Sequence, residues 1–230
     1  MKSLLLTVVV IGAVLLTVVF ISPFIFYYNT APYAGSSLTY SPGMMSYNSG
    51  DMMIYYGHTV SVQSAMMEAT ANHPPYVTLI PSNDTVIINS SSVHITVYAM
   101  MSSMAVNVTG HSLPSYSSGD VFVIYGLINP TLIFNSGVQS VKLTITVVNL
   151  DNDMYHNFVI TSISPPYQYM AYSMMESSTG YMMPYLPPTS GESAYTYTYS
   201  VQLHGPASLW YICTYPGHAE EGMYGELIVN

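Results

Sequence analysis

Between Ser140 and Val148 the chain reads SVKLTITVV, with Val141, Leu143, Ile145 and Val147 at alternate positions. A period of two puts these four side chains on one face of an extended strand, and such a face must be buried against a second layer. The segment YTYTYSVQL within 193–203 repeats the pattern. Further runs rich in β-branched and aromatic residues lie at 85–101, 120–128, 131–150 and 157–163, punctuated by Gly, Pro and Asn. Residues of these kinds suit a pleated, half-buried surface, and the interruptions mark turns. Only GHTVSVQSAMMEATAN, at 57–72, carries a helical pattern. Short strands at regular intervals define an all-β domain, a sandwich or barrel with Greek-key connections. The Pro-, Met- and Tyr-rich stretch at 164–192 lies between two of the strands and is expected to form a long crossover.

The N-terminus follows a different rule. From Ser3 to Tyr28 no residue is charged. At about 1.5 Å rise per residue, LLLTVVVIGAVLLTVVFISPFIFYY is long enough to cross a hydrocarbon layer of about 30 Å. The run exceeds a signal-peptide core, and no small-x-small cleavage site follows it. Phe24, Phe26, Tyr27 and Tyr28 stand where an interfacial aromatic belt would lie. Residues 1–28 are therefore expected to form an uncleaved transmembrane helix in the cell membrane, with Lys2 on the cytoplasmic side and everything after Tyr28 outside. Residues 29–50, with their Pro, Gly, Ser and Asn, read as a flexible linker. Residues 51–230 remain for one domain, large enough to bury a core without disulfides.

Charge narrows the function. Lys2 and Lys142 are the only basic side chains, set against eleven carboxylates and a net charge of −9. Nucleic acid is excluded as a partner, because no basic patch exists to meet phosphates. Ser, Thr, Asn and 23 Tyr keep such a surface soluble through neutral hydrogen bonding. Below about pH 3 most carboxylates are protonated, so the composition suits work outside an acidophile. Asn83, Asn89 and Asn107 each begin a glycosylation triplet.

The lone cysteine excludes an internal disulfide. It stands in LWYICTYPGHAEEGMYGELIVN, where Cys213, His218 and Met223 follow the spacing Cys-x4-His-x4-Met. One loop thus offers a thiolate, an imidazole and a thioether. Copper alternating between its two oxidation states suits that mixture: sulfur donors favour Cu(I), imidazole serves both states, and a weak axial ligand limits rearrangement. Structural zinc sites seldom use methionine. A second histidine has to come from elsewhere, and His156 in NLDNDMYHNFVI, just after a strand ending at Leu150, is the best placed. His58, His73, His94, His111 and His204 have no comparable company. The Met-Met pairs at 44/45, 52/53, 66/67, 100/101, 174/175 and 182/183 read as core filler rather than as Cu(I) collectors. A multicopper enzyme would need further histidines around the cysteine, but Cys213 is flanked by Ile212 and Thr214 and no His-x-His occurs. A hydrolase would leave Met223 without a role.

The segments ICTYPGHAEEGMYGELIV and SGVQSVKLTITVVNLDNDMYHNFVI resemble the sulfocyanin and rusticyanin group of cupredoxins. The similarity covers roughly 120–163 and 193–230, and the anchor and linker look more like those of sulfocyanins than the soluble rusticyanins. The resemblance implies a Greek-key β-sandwich with an N-terminal extension, carrying one type 1 copper near one end. His156, Cys213, His218 and a weak axial Met223 would hold the copper. Asn157 would hydrogen-bond between the two ligand-bearing loops, Pro216 and Gly217 would shape the turn before His218, and Phe158, Trp210 and Tyr224 would exclude water. It further implies an electron carrier, not an enzyme, with an exposed His218 edge as its port. Its partners would be redox protein donors and acceptors of a respiratory chain, possibly including a terminal oxidase complex. An extracytoplasmic copper chaperone is the alternative, and it would hold labile Cu(I) without strong colour.

Overall fold

The computed structural model describes residues 45–47, 53–137, 139–171 and 183–230. The expected anchor at 1–28 and most of the linker at 29–50 lie outside them. Among the described residues no helix is long and apolar enough to cross a membrane.

The elements in chain order are β1 (Met45–Tyr47), β2 (Met53–Tyr55), β3 (His58–Ser61), α1 (Val62–Glu68), β4 (Val77–Ile80), β5 (Thr85–Ile88), β6 (Ser92–Met100) and α2 (Ser102–Thr109). They continue with β7 (Val121–Ile124), β8 (Leu127–Ile128), β9 (Thr131–Phe134), β10 (Ser140–Asn149), β11 (Val159–Thr161), β12 (Ser193–His204), β13 (Ala207–Ile212) and β14 (Tyr224–Val229). Two six-stranded sheets result, in the orders β3-β12-β10-β6-β7-β8 and β11-β13-β14-β9-β5-β4, beside a two-stranded β1-β2 pair. In the first sheet β10 runs antiparallel to β12 and parallel to β6. In the second, β9 runs parallel to both β14 and β5.

The alternation at 140–148 does what its period demands. Val141, Leu143, Ile145 and Val147 are fully buried, and they share one core with Val86 and Ile88 of β5, Leu132 and Phe134 of β9, and Leu227 and Val229 of β14. Burial of each such side chain stabilises the fold by about 1.5–3 kcal/mol. Lys142, between two of them, faces solvent.

Two runs read as continuous strands are each divided between the sheets. The run at 85–101 breaks into β5 and β6, where the Ser90 hydroxyl accepts from the Ser92 N–H and donates to the Ser92 carbonyl. The run at 131–150 breaks into β9 and β10. In both, apolar residues resume so soon after the polar turn that the pattern looks unbroken. The first half of the expected helix at 57–72 is β3, because the β-branched pair Thr59 and Val60 is drawn into a ladder with Tyr195 and Ala194 of β12. Only the second half coils as α1, capped by the Ser61 side chain, which accepts from the Ser64 N–H.

The short helix α2 was not legible, since Ala105 is its one buried residue. It packs with α1 on a second, smaller cluster that includes Tyr98, Met100, Val121, Ile128 and Val148. The segment before residue 120 therefore supplies β3 to β6 to the two sheets rather than only flanking them.

Replacing Leu143 by Ala should lower unfolding free energy by about 2–5 kcal/mol through the cavity it leaves. Lys142→Ala, one residue away on the exposed face, should change it by less than about 0.5 kcal/mol. Chemical denaturation measures both, and equal effects would contradict this placement of the strand faces.

Candidate metal centre

Two loops build the site. The first begins where β10 ends. The Asn149 side-chain amide is buried and donates to the carbonyls of Met154, Leu186 and Pro187 at 2.9, 3.1 and 2.9 Å, while its Oδ1 accepts from the Asp151 N–H at 2.9 Å. Asp151 Oδ1 in turn accepts from the N–H groups of Asp153 and Met154. Asn and Asp side chains can stand in for backbone partners in this way, which is how NLDND forms a tight turn. The turn delivers His156 to a two-way backbone pairing with Leu186. That pairing is the described end of the 164–192 crossover reaching the site.

The second loop joins β13 to β14. Strand alternation turns Leu209, Tyr211 and then Cys213 toward the core. The chain then curls back on itself: the Met223 N–H donates to the His218 carbonyl at 2.8 Å and the Cys213 N–H to the Met223 carbonyl at 3.1 Å. Pro216 is half-buried and leads into Gly217, which has φ +87°. Gly222 has φ +97°, and a Cβ there would run into the backbone of Tyr116 and Ser117. Both glycines meet a backbone requirement that other residues satisfy poorly.

Three of the four expected ligands converge. Cys213 Sγ lies 3.8 Å from His156 Nδ1 and 3.6 Å from His218 Nδ1, and the two Nδ1 atoms are 3.2 Å apart. A circle through these atoms has a radius of about 2 Å, close to the length of a transition-metal bond to nitrogen or sulfur. Cys213 and His156 are 0% exposed and His218 6%. Met223 is also 0% exposed, in the same core cluster as Cys213, at the point where the loop closes. The donor set is one soft sulfur and two imidazoles, with a thioether in the loop that carries two of them.

Asn157 lies between the loops. Its Oδ1 accepts from the Thr214 N–H at 2.8 Å, and its Nδ2 donates to Thr214 Oγ1 at 2.8 Å and to the Met183 carbonyl at 3.0 Å. The Tyr185 hydroxyl lies 2.9 Å from the same Thr214 Oγ1. Phe158 is buried, stacked on Tyr211. Trp210 and Tyr224 alternate with the inward-facing Tyr211 and Met223 and are half-buried against each other at the edge of the core, with Tyr116 and Tyr167 beside Tyr224. The His218 imidazole is not an exposed edge either, since Tyr215 packs over it with ring centroids 4.7 Å apart. His58, His73, His94 and His204 are exposed and outside the cluster.

Two carboxylates were missed. Asp151 Oδ2 lies 3.3 Å from His156 Nε2, and Asp120 Oδ2 lies 3.8 Å from the Nε2 atoms of both His156 and His218. Asp151 had a signal, its place two residues after Asn149 in the turn; Asp120 had none. Burial opposes charge on Cys213, His156, Asp151 and Asp120, yet specific partners override it for the first three. Burial would push the Cys213 thiol up, but the imidazoles of His156 and His218 against the sulfur bring it down to about 6. Burial would lower His156, but Asp151 and then Cys213 raise it to about 9. Against the same histidine, Asp151 is held below the usual carboxylate range despite its own burial. Asp120 is raised, because there burial dominates over the two histidines.

A β-sandwich with a buried Cys, two His and a Met on two loops at one end is a cupredoxin arrangement. Within that class the chain is rusticyanin-like. It is 28% identical to rusticyanin of Acidithiobacillus ferridurans over 150 residues, 65% of this chain and 69% of that protein. The same identity and shares hold for rusticyanin of Acidithiobacillus ferrooxidans. Among solved structures, rusticyanin from Thiobacillus ferrooxidans superposes with a TM-score of 0.52 at 23% identity, over 75% of this chain and 96% of that one. A reduced rusticyanin gives 0.51 at 21% identity, over 75% and 99%. No family model matches the chain.

In the metal-free protein the Cys213 thiol should ionise with a midpoint near pH 6, followed by ultraviolet thiolate absorbance and absent from Cys213→Ala. Because the folded value is depressed, the thiolate forms as pH rises through it. A midpoint near the ordinary thiol value of 9.0 would contradict the imidazole contacts.

Proposed function

We propose that this chain is a mononuclear type 1 copper electron carrier and not an enzyme. The observation that carries the reading is the buried triangle of Cys213 Sγ and the Nδ1 atoms of His156 and His218, with Met223 closing the same loop. Two histidines and one cysteine with a weak axial methionine are the donor set of blue-copper electron-transfer sites. Rusticyanin, which the chain resembles, is a copper protein solved in a reduced form.

Copper, when bound, supplies a one-electron couple. The protein's residues do the rest. Cys213 is tuned toward its thiolate, the form that binds metal. His156 and His218 turn Nδ1 inward, and Asn157 ties their loops through Thr214. A core packed around Cys213 and Met223 keeps the ligands fixed, so that gaining or losing an electron moves few atoms. The half-buried Tyr215, lying over His218, is the natural point of electron entry and exit.

In the fuller reading, residues 3–28 anchor the chain in the cell membrane and 29–50 tether an extracytoplasmic domain. Its redox partners are donors and acceptors of a respiratory chain, a terminal oxidase complex among the candidates, and its surroundings are acidic. The uncharged N-terminal run and a composition with two basic side chains and eleven acidic ones support this.

One equivalent of Cu(II) should give an intense visible charge-transfer band that Cys213→Ala lacks and Met223→Leu keeps. A colourless protein that binds only Cu(I) would overturn electron transfer in favour of copper delivery. For the anchor, the full chain should sediment with membranes through an alkaline wash, whereas a chain beginning at residue 30 should remain in the supernatant. Loss of the full chain to the wash would contradict an integral anchor.

A further inference from the structure

The histidines meet the thiolate through Nδ1, so their Nε2 atoms face the other way, and both face carboxylates. Asp151 Oδ2 is within hydrogen-bond distance of His156 Nε2, at 3.3 Å. Asp120 Oδ2 stands equally far, at 3.8 Å, from the Nε2 atoms of His156 and His218, and so spans the two rings. The side chain of Asp151 is 0% exposed and that of Asp120 18%. They arrive from different places: Asp120 immediately precedes β7, and Asp151 follows β10. Asp151 commits its other oxygen to the N–H groups of Asp153 and Met154, which aims Oδ2 at the histidine.

Buried carboxylates need partners. Among the described residues Lys142 is the one Lys or Arg, and it lies near the start of β10 whereas Asp151 follows its end. Asp151 Oδ2 thus has the His156 imidazole N–H as a donor, beside the backbone N–H groups on its other oxygen, while Asp120 Oδ2, at 3.8 Å, stands at ion-pair distance from both rings. A histidine that gives its outer N–H to a carboxylate has its tautomer and ring orientation fixed, and its inner nitrogen becomes a better metal ligand. Negative charge in a poorly solvated place also favours the more highly charged oxidation state of a nearby ion.

Resting on the copper reading, we propose that Asp120 and Asp151 form a carboxylate bracket across the two histidines. The bracket holds both rings with Nε2 protonated and Nδ1 turned to the metal, and it lowers the reduction potential of the bound copper. Asp120 is a positioning residue that ties the start of β7 to both ligand loops.

The test uses the copper-loaded full chain with Asp120→Asn and Asp151→Asn, beside Glu220→Gln as a control. Glu220 is exposed on the ligand loop, its substitution removes the same charge, and among the described residues its side chain makes no ion pair with a histidine. In a redox titration at neutral pH each bracket variant should keep the visible band and shift the equilibrium toward Cu(I) by roughly tenfold or more. Asp151→Asn should also weaken copper binding by about 10–100-fold. Glu220→Gln should shift the equilibrium by less than about threefold, because solvent screens an exposed charge. In the diamagnetic Cu(I) form, 15N NMR should find slowly exchanging Nε2–H protons on both histidines of the wild type, and faster exchange in the bracket variants. Unchanged potentials with the band intact would overturn the bracket and leave the copper reading standing. A wild type without the band would sink the type 1 reading, yet the Cu(I) spectra would still decide the bracket: absent or rapidly exchanging Nε2–H protons overturn it.

Discussion

The site depends on one contact, the pair of hydrogen bonds between Asn157 and Thr214. Each partner is the immediate neighbour of a ligand, Asn157 of His156 and Thr214 of Cys213, and both are buried. The first loop carries the chain from β10 in one sheet to β11 in the other, while the second turns within one sheet from β13 to β14. A donor and an acceptor on one amide, matched to the N–H and hydroxyl of one threonine, fix the spacing of the loops. In a low-dielectric interior such a pair is strong when complete and costly when broken. The sandwich brings the loops together, and this lock sets where their ligands stand.

The electrostatics of the molecule are concentrated in the same place. Over most of the surface the chain relies on neutral hydroxyl and amide groups, so few charges interact at a distance. At the site a thiol, two imidazoles and two carboxylates lie within a few ångströms of one another in poorly solvated surroundings. For Cys213 and His156 the neighbouring groups outweigh burial, which is why a buried cysteine is driven toward its thiolate and a buried histidine toward its cation. His156, His218 and Cys213 would hold a metal ion through Nδ1 and Sγ, in a network already arranged for positive charge.

How much of this the sequence disclosed follows from how local each signal was. Cys213, His218 and Met223 share one loop, so their spacing exposed them; His156 was found because a strand visibly ends just before it. The buried face of β10 was legible because a period of two has one structural meaning. Asp120 was hidden, since only the folded sheet brings the start of β7 to the histidines. The breaks after β5 and β9 were hidden because two short polar turns scarcely interrupt the apolar pattern. The resemblance groups Trp210 and Tyr224 with the residues that would exclude water from the copper. Counting alternate residues back from Cys213 puts Tyr211 inside and Trp210 outside, as the strand does.

On the proposed reading, Cys213, His156 and His218 bind one copper ion together. X-ray absorption at the copper edge of the loaded protein tests it most directly. The expected spectrum shows one short copper–sulfur contribution and two imidazole nitrogens, the sulfur contribution vanishing in Cys213→Ala. A shell of nitrogen and oxygen alone in the wild type, without short sulfur, would contradict it.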